Sequence, residues 1–357
     1  MENLKILFTY IVPSGGMETL NRTRGEVLQK YGVNCHFLYS RDGAGLQNGS
    51  SCPTHISDDD QEIQQLLKKE GFEAVVVSSD FIMLERLRRL GFTGPIIFEV
   101  QGLGPMEYAT QFINNAALYI LSYADALLYP PTSHLNQLFA QFPTKIHFNF
   151  SNCVDTAKIQ YRPNIEHSYP IIGWVGRIES NKNWRECLEI VHHSVDQEPN
   201  LRLWLFEDPN LCTRSEREDF LKMVSDFNLE HRLVLFSNIP HSEMPYYYSA
   251  IGDSGGYLLS TSILEGFGYA VAEAMSCRCP ILSTDSDGVR AFIKHDITGK
   301  FYPTGSNEAA VQQGLELMRN YPLRNSIRKK GREHIESTFG LETYVSHFIG
   351  MLHYLGL

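Results

Sequence analysis

The chain has few of the features that settle a protein's class at a glance. Its 7 cysteines are scattered and odd in number, no CxxC pair occurs, and Cys277-Arg278-Cys279 is too tight for a usual zinc knuckle. They read as reduced thiols, the usage of a cytosolic protein. No apolar run approaches the roughly 20 residues of a membrane-spanning helix. The segment Leu4-Lys5-Ile6-Leu7-Phe8 has the length of a first strand rather than of a signal-peptide core. Low-complexity tracts and repeats of solenoid period are missing. So is an excess of positive charge: 31 Lys and Arg face 41 Asp and Glu, and neither half of the chain is basic. A net charge of −10 argues against general affinity for nucleic-acid phosphates. The expected location is the cytoplasm.

What is present is alternation. Short apolar runs at 4–9, 35–39, 74–78, 95–98, 126–129 and 145–148 read as strands, with helix-length segments at 18–31, 60–70, 81–90, 107–123 and 132–142 between most of them. The pattern breaks at the polar, proline-containing stretch 161–170 and then resumes. Strands are expected at 171–175, 201–206, 233–236, 256–259 and 280–283, and helices at 184–195, 215–227, 244–249 and 269–277. A chain of 357 residues exceeds what one core usually serves. The fold class is therefore α/β, as two doubly wound Rossmann-like domains over residues 1–160 and 170–335, followed by helices near 308–320, 322–337 and 341–354. In such sheets ligands bind beyond the carboxyl ends of the strands, so the loops there come first.

One of those loops runs from Glu265 through Gly266, Phe267, Gly268 and Tyr269 to Glu273. A strand that empties into a glycine-rich turn and a helix start presents backbone N–H groups and a positive helix end, which together suit a phosphate. Glu265 falls in the turn and Glu273 about one turn into the helix. The plainer reading is an ordinary strand-loop-helix with two solvated glutamates. The first loop of the chain, Pro13-Ser14-Gly15-Gly16-Met17-Glu18, is not GxGxxG, but Gly15 and Gly16 would let backbone approach a ligand; alternatively it is a turn capping a helix through Ser14. The first loop of the second half delivers Arg177, then Lys182 five residues on. A planar fork and a point charge are what a departing diphosphate needs.

Taken in register, these pieces resemble the retaining nucleotide-sugar glycosyltransferases of two-Rossmann (GT-B) architecture, the glycosyl transferases of group 1, family 4 type. Gly15-Gly16-Met17-Glu18 resembles the family's double-glycine loop, and Asn152-Cys153-Val154-Asp155 its NGVD element. Val175-Gly176-Arg177 with Lys182 resembles its GR…K motif, Glu265 through Glu273 its E-x7-E signature, and Asp296-Ile297-Thr298-Gly299 its G-x-T-G turn. The resemblance implies that Glu265 meets the donor sugar's hydroxyls, that Glu273 takes the ribose hydroxyls, and that the amides of Phe267, Gly268 and Tyr269 hold the phosphates. Arg177 and Lys182 would stabilise the leaving diphosphate. Base recognition is expected near Asn238 and Ile239. The partners implied are a nucleotide-sugar donor, taken as UDP-linked on frequency alone, and a hydroxyl acceptor of unidentified kind. No cofactor and no metal are implied, and Asp285-Ser286-Asp287 is not read as a metal site. Three departures stand out: Gln101 where the family carries a histidine near the sugar, Pro130-Pro131 in place of a serine, and Arg290 near the usual glutamate.

Other groups have plainer readings. Tyr246-Tyr247-Tyr248 is expected to pack rather than stack on sugar, and His192-His193 to be structural. Lys68, Lys69, Arg86, Arg88 and Arg89 read as a solvated face rather than a membrane-contact surface. Residues 341–354 carry a wide apolar stripe that needs a partner, and the resemblance implies a helix crossing back to the first domain after a bend near 338–340, leaving a hinge for the cleft to close over the donor. The alternatives held open are a non-catalytic sugar-nucleotide-binding or assembly protein, for which Gln101 is the best support, and a GT-B epimerase or phosphorylase.

Overall fold

The computed structural model describes residues 4–163 and 167–357. The chain divides into two compact units, one of Met1–Cys153 with Phe339–Leu357 and one of Val154–Thr338. The first contains β1 (Leu4–Tyr10), α1 (Gly15–Gln29), β2 (Val33–Tyr39), β3 (Thr54–Ile56), α2 (Asp60–Glu70), β4 (Ala74–Ser78), α3 (Phe81–Arg89), β5 (Ile96–Glu99), α4 (Met106–Tyr123), β6 (Ala126–Tyr129), α5 (Ser133–Phe139) and β7 (Ile146–Asn149). The second contains β8 (Ile171–Val175), α6 (Trp184–Val195), β9 (Arg202–Glu207), α7 (Arg214–Asp226), β10 (Leu233–Ser237), α8 (Met244–Asp253), β11 (Tyr257–Ser260), α9 (Tyr269–Ser276), β12 (Ile281–Thr284), β13 (Lys300–Tyr302), α10 (Asn307–Arg319) and α11 (Tyr321–Thr338). The last helix, α12 (Leu341–Tyr354), belongs to the first unit.

Among the described residues each unit has one parallel sheet, in the orders β3-β2-β1-β4-β5-β6-β7 and β10-β9-β8-β11-β12-β13. Both orders reverse direction next to their first strand, and the second does so between β8 and β11. Continuous apolar runs become buried central strands: β4, Ala-Val-Val-Val-Ser, is buried throughout, as a sheet covered on both faces demands. The α/β reading of the sequence therefore holds. It missed β3 and β13, which are only three residues long; β13 also opens on a lysine.

The helices begin and end for local reasons. Asp59 caps α2 by accepting from the Gln61 and Glu62 amides at 2.9 and 3.0 Å, and Gly71 ends the helix in the left-handed conformation. Ser14 precedes α1 but makes no capping bond through its side chain. The expected boundary near residue 160 falls earlier, between Cys153 and Val154. The segment that follows is held by the second unit: Ser276 Oγ donates to the Ile159 carbonyl, the Arg162 amide donates to Ser249 Oγ at 2.9 Å, and the Tyr161 hydroxyl donates to Asp253 Oδ2 at 2.9 Å. Residues 164–166 of the expected linker lie outside the described residues.

Helix α12 covers the first unit with the stripe seen in its sequence. Phe348 meets Phe8 of β1 with ring centroids 5.9 Å apart, Tyr344 meets Phe150 at 5.6 Å, and Tyr354 meets Phe148 at 5.7 Å. The bend expected at 338–340 is a break between α11 and α12. Beneath α12 lies a buried polar cluster. Arg24 and Glu99, both fully buried, form a bidentate pair at 2.5 and 2.9 Å, and the guanidinium lies 4.1 Å from the Phe8 ring centroid. Burial alone would favour the neutral form of Arg24, but Glu99 and the Tyr344 hydroxyl outweigh it and hold the guanidinium charged.

Surface charge is largely paired. Arg86 meets Asp58 and Asp60, Arg88 meets Asp125 at 2.7 Å, and Arg89 meets Asp60 at 2.7 Å, so the basic face is internally neutralised. His192 stacks on Phe227 at 4.4 Å. Among the described residues no helix is long and apolar enough to cross a membrane.

Candidate active site

The expected site residues fall in both units. Gly15 and Gly16 open α1 of the first unit, with Gly15 at φ +59°. Gln101 follows β5 in the same unit. Its Nε2 donates to Glu99 Oε1 at 3.0 Å and its Oε1 accepts from Asn152 Nδ2 at 2.6 Å. A carboxylate can only accept, so this orientation of the Gln101 amide is fixed by chemistry. Gln101 is thereby joined to the buried Arg24–Glu99 pair, a connection not expected from the sequence.

Arg177, Lys182, Asn238, Ile239, Glu265–Tyr269 and Glu273 all lie in the second unit, beyond the carboxyl ends of its strands. The loops after β8 and β11 flank the point where strand order reverses, and hydrogen bonds join them. The Ile263 amide donates to the Asn181 carbonyl at 2.8 Å, and Asn181 Nδ2 donates to the Leu264 carbonyl at 3.1 Å. Trp174 Nε1 donates to Thr261 Oγ1 at 3.0 Å, and Thr261 Oγ1 donates to the Lys182 carbonyl at 2.8 Å. These bonds place the Lys182 ammonium on Glu265 Oε1, where Ser262 Oγ also donates at 2.7 Å. Among the described residues no group reaches Glu265 Oε2. The carboxylate is therefore held through one oxygen while the other can accept.

The turn after Glu265 is pinned from the other side. The Glu265 amide donates to the Ser286 carbonyl at 2.8 Å, and its carbonyl accepts from the Gly288 amide at 3.0 Å. A Cβ at Gly288 would lie 2.6 Å from the carbonyl oxygens of Glu265 and Gly266, so only glycine allows this approach. Gly268, at φ +84°, is in the left-handed region and starts α9. The Phe267 ring is turned inward against Phe292, with centroids 4.8 Å apart, which leaves its backbone to form the turn. The start of α9 presents the positive end of the helix.

Two of these side chains are engaged by neighbours. Arg177 is exposed and pairs with Glu179 at 2.9 Å, while Glu265 pairs with Lys182. Glu273, buried on α9, accepts from His241 Nε2 at 2.7 Å and from the Tyr248 hydroxyl at 3.2 Å. His241 and Tyr248 were not identified as site residues from the sequence; the only signal was a histidine just past a strand and Pro240. Of the tyrosine triplet, Tyr248 is buried and packs as expected, while Tyr246 is 40% exposed. Glu265 thus meets the loop after β8 and Glu273 the turn after β10, two strands whose places in the sheet are both on the same side of β11. Asp285 meets Arg290 at 2.6 Å and Asp287 meets it at 3.3 Å. Among the described residues no cluster of three or more His, Cys, Asp or Glu is placed to hold a metal.

The architecture is that of the GT-B glycosyltransferases. Solved structures with this fold include the sucrose-phosphate synthase of Thermosynechococcus elongatus (TM-score 0.79, 18% identity, 99% of this chain and 98% of that one). Another is the Anabaena protein HepE, solved in complex with UDP-glucose (TM-score 0.81, 13% identity, 99% of this chain and 100% of that one). Residues 155–334 match the model of the family glycosyl transferases group 1, and the chain belongs to that family. The N-acetyl-alpha-D-glucosaminyl L-malate synthase of Bacillus anthracis is 22% identical over 54% of this chain and 48% of its own length. Similar in sequence over 91% of this chain and 93% of its own length is the N-acetylgalactosamine-N,N'-diacetylbacillosaminyl-diphospho-undecaprenol 4-alpha-N-acetylgalactosaminyltransferase of Campylobacter jejuni, at 23% identity. The chain spans about half the length of the first curated relatives it matches.

Proposed function

We propose that the protein is a retaining glycosyltransferase that moves a sugar from a nucleoside diphosphate, UDP in the first instance, to a hydroxyl of an acceptor. The observation that carries this reading is the joined pair of loops at the strand-order reversal: Lys182 and Ser262 hold one oxygen of Glu265, and Glu273 lies about one turn into α9. In this reading Glu265 Oε2 accepts from the donor sugar's hydroxyls, Glu273 binds the ribose, Asn238 and Ile239 border the base, and the amides of Gly266, Phe267, Gly268 and Tyr269 take the phosphates.

Chemistry then rests on charge and position. As the bond from the anomeric carbon to the diphosphate breaks, negative charge grows on the leaving oxygen. The α9 start, Lys182 and Arg177 stabilise it, with Arg177 leaving Glu179 to do so. The acceptor attacks from the face the diphosphate leaves, and its proton passes to the leaving phosphate. No enzymic nucleophile is needed, and retention follows from same-face displacement. The cations and helix end serve where a metal otherwise would, and Arg290 already answers the charge of Asp285 and Asp287. Free cysteines at all seven positions suit a cytoplasmic setting.

The phosphate assignment has a direct test. Replacing Arg177 with Ala and Lys182 with Met together is expected to weaken UDP binding about tenfold or more in calorimetry, because two charge-assisted contacts are lost. Unchanged affinity rejects the assignment. A second reading, a sugar-nucleotide-binding protein without catalysis, draws on the Gln101 amide being engaged by Glu99 and Asn152. A donor that stabilises the fold thermally but is neither hydrolysed nor transferred to any acceptor favours that reading.

A further inference from the structure

Glu273 is almost wholly buried, yet its carboxylate is gripped from two other elements. His241, in the turn after β10, donates from Nε2 to Oε1 at 2.7 Å, and Tyr248 of α8 donates to Oε2 at 3.2 Å. Because a carboxylate only accepts, the imidazole must carry its hydrogen on Nε2. Burial first, and Glu273 second, hold the Tyr248 phenol well above its ordinary range, so it remains a donor. The terminal torsion of a glutamate is broad and soft when nothing holds it. Here one donor on each oxygen fixes the plane of the carboxylate. Each oxygen keeps a second lone pair, and the fixed plane sets those two acceptors side by side. That is the arrangement that reads two adjacent hydroxyls at once.

We propose that His241 is a positioning residue which, with Tyr248, sets Glu273 to recognise the vicinal hydroxyl pair of a ribose, so that the site selects ribonucleoside over 2'-deoxyribonucleoside diphosphates. The inference rests on the reading of this edge of the second sheet as a nucleotide-sugar site. Without the imidazole the carboxylate is held through Oε2 alone and turns. One ribose hydroxyl then loses its aligned acceptor. A deoxyribose has only one of the two hydroxyls to offer and loses little.

The test is calorimetry on the full chain with UDP, GDP and ADP, each paired with its 2'-deoxy form. The wild type is expected to bind one ribonucleotide about tenfold or more tighter than its deoxy partner. H241A should bring that ratio close to one by weakening the ribonucleotide. H241Q, whose amide nitrogen reaches the place of Nε2, should restore it. Equal weakening of both partners by H241A, with the ratio kept, overturns the proposal, because that is what a purely structural histidine does. Wild-type protein that binds none of the six overturns the nucleotide-site reading itself. E273Q that keeps the wild-type ratio overturns the ribose assignment, and the proposal with it.

Discussion

Glu99 and Glu265 each follow or end a strand of their own sheet, and each meets a cation, but the two pairs are built for different ends. Glu99 and Arg24 are both 0% exposed, and every oxygen of Glu99 is engaged: Arg24 takes both, Ser78 Oγ donates to one at 2.6 Å and Gln101 to the other at 3.0 Å. Glu265 and Lys182 keep 15% and 21% of their side chains exposed, and among the described residues hydrogen bonds reach Oε1 alone. A charge removed from water must find all its partners within the protein. A charge left at the edge of a sheet can hold one acceptor in reserve. The first pair is closed and structural, while the second has a carboxylate oxygen still able to accept.

The comparison breaks most readily at the closed pair. Arg24→Ala strands Glu99 in the core and is expected to cost about 3–5 kcal/mol in urea unfolding. A loss below about 1 kcal/mol would mean that water reaches Glu99. Phe348→Ala, which empties the α12 contact on Phe8, is expected to cost about 3–5 kcal/mol as a core truncation. The difference from wild type should be the same with and without UDP; a difference that shrinks on adding UDP would contradict that. Lys182→Met should change stability by no more than about 1 kcal/mol, since the pair is partly solvated. A loss as large as that of Arg24→Ala would erase the distinction.

Lys300 supplies the smallest test. It is fully buried, yet its partner Asp296 is half exposed. Hydrogen bonding to Lys300 holds the Asp296 carboxyl below its ordinary range, against a smaller opposing effect of burial. A depressed carboxyl contributes stability that is fully present above its unfolded pKa and is lost as pH falls through the folded one. Asp296→Asn should therefore flatten the acid side of the stability profile and leave it unchanged near pH 7 relative to its own plateau. A profile with the wild-type slope would sink the assignment.

These contrasts also mark what could be read from sequence. Runs such as Ala74–Ser78 and the stripe of Leu341–Tyr354 declare themselves, because period and burial agree over many residues. Three-residue strands carry no period, so β3 and β13 were invisible. Arg24 was not singled out from the sequence. Its position one turn after Leu20 and one before Leu28, both fully buried, places it on the inner face, but only the distant Glu99 explains why a charge can stand there. In the second unit the motif located Glu265, Glu273 and Lys182. It could not show that Arg177 turns to Glu179, nor that His241, 32 residues before Glu273, would grip its carboxylate. Such partners are set by sheet order, which brings together loops far apart in the chain.

Glu265, held through one oxygen by Lys182 and Ser262, is proposed to meet the reacting sugar with the other. The most direct measurement is donor turnover by Glu265→Gln beside wild type, with urea unfolding of both on the same preparations. Transfer slower by a factor of about 10²–10³ is expected, with unfolding within about 1 kcal/mol of wild type. A variant as stable as wild type that turns over its donor at the wild-type rate would contradict it.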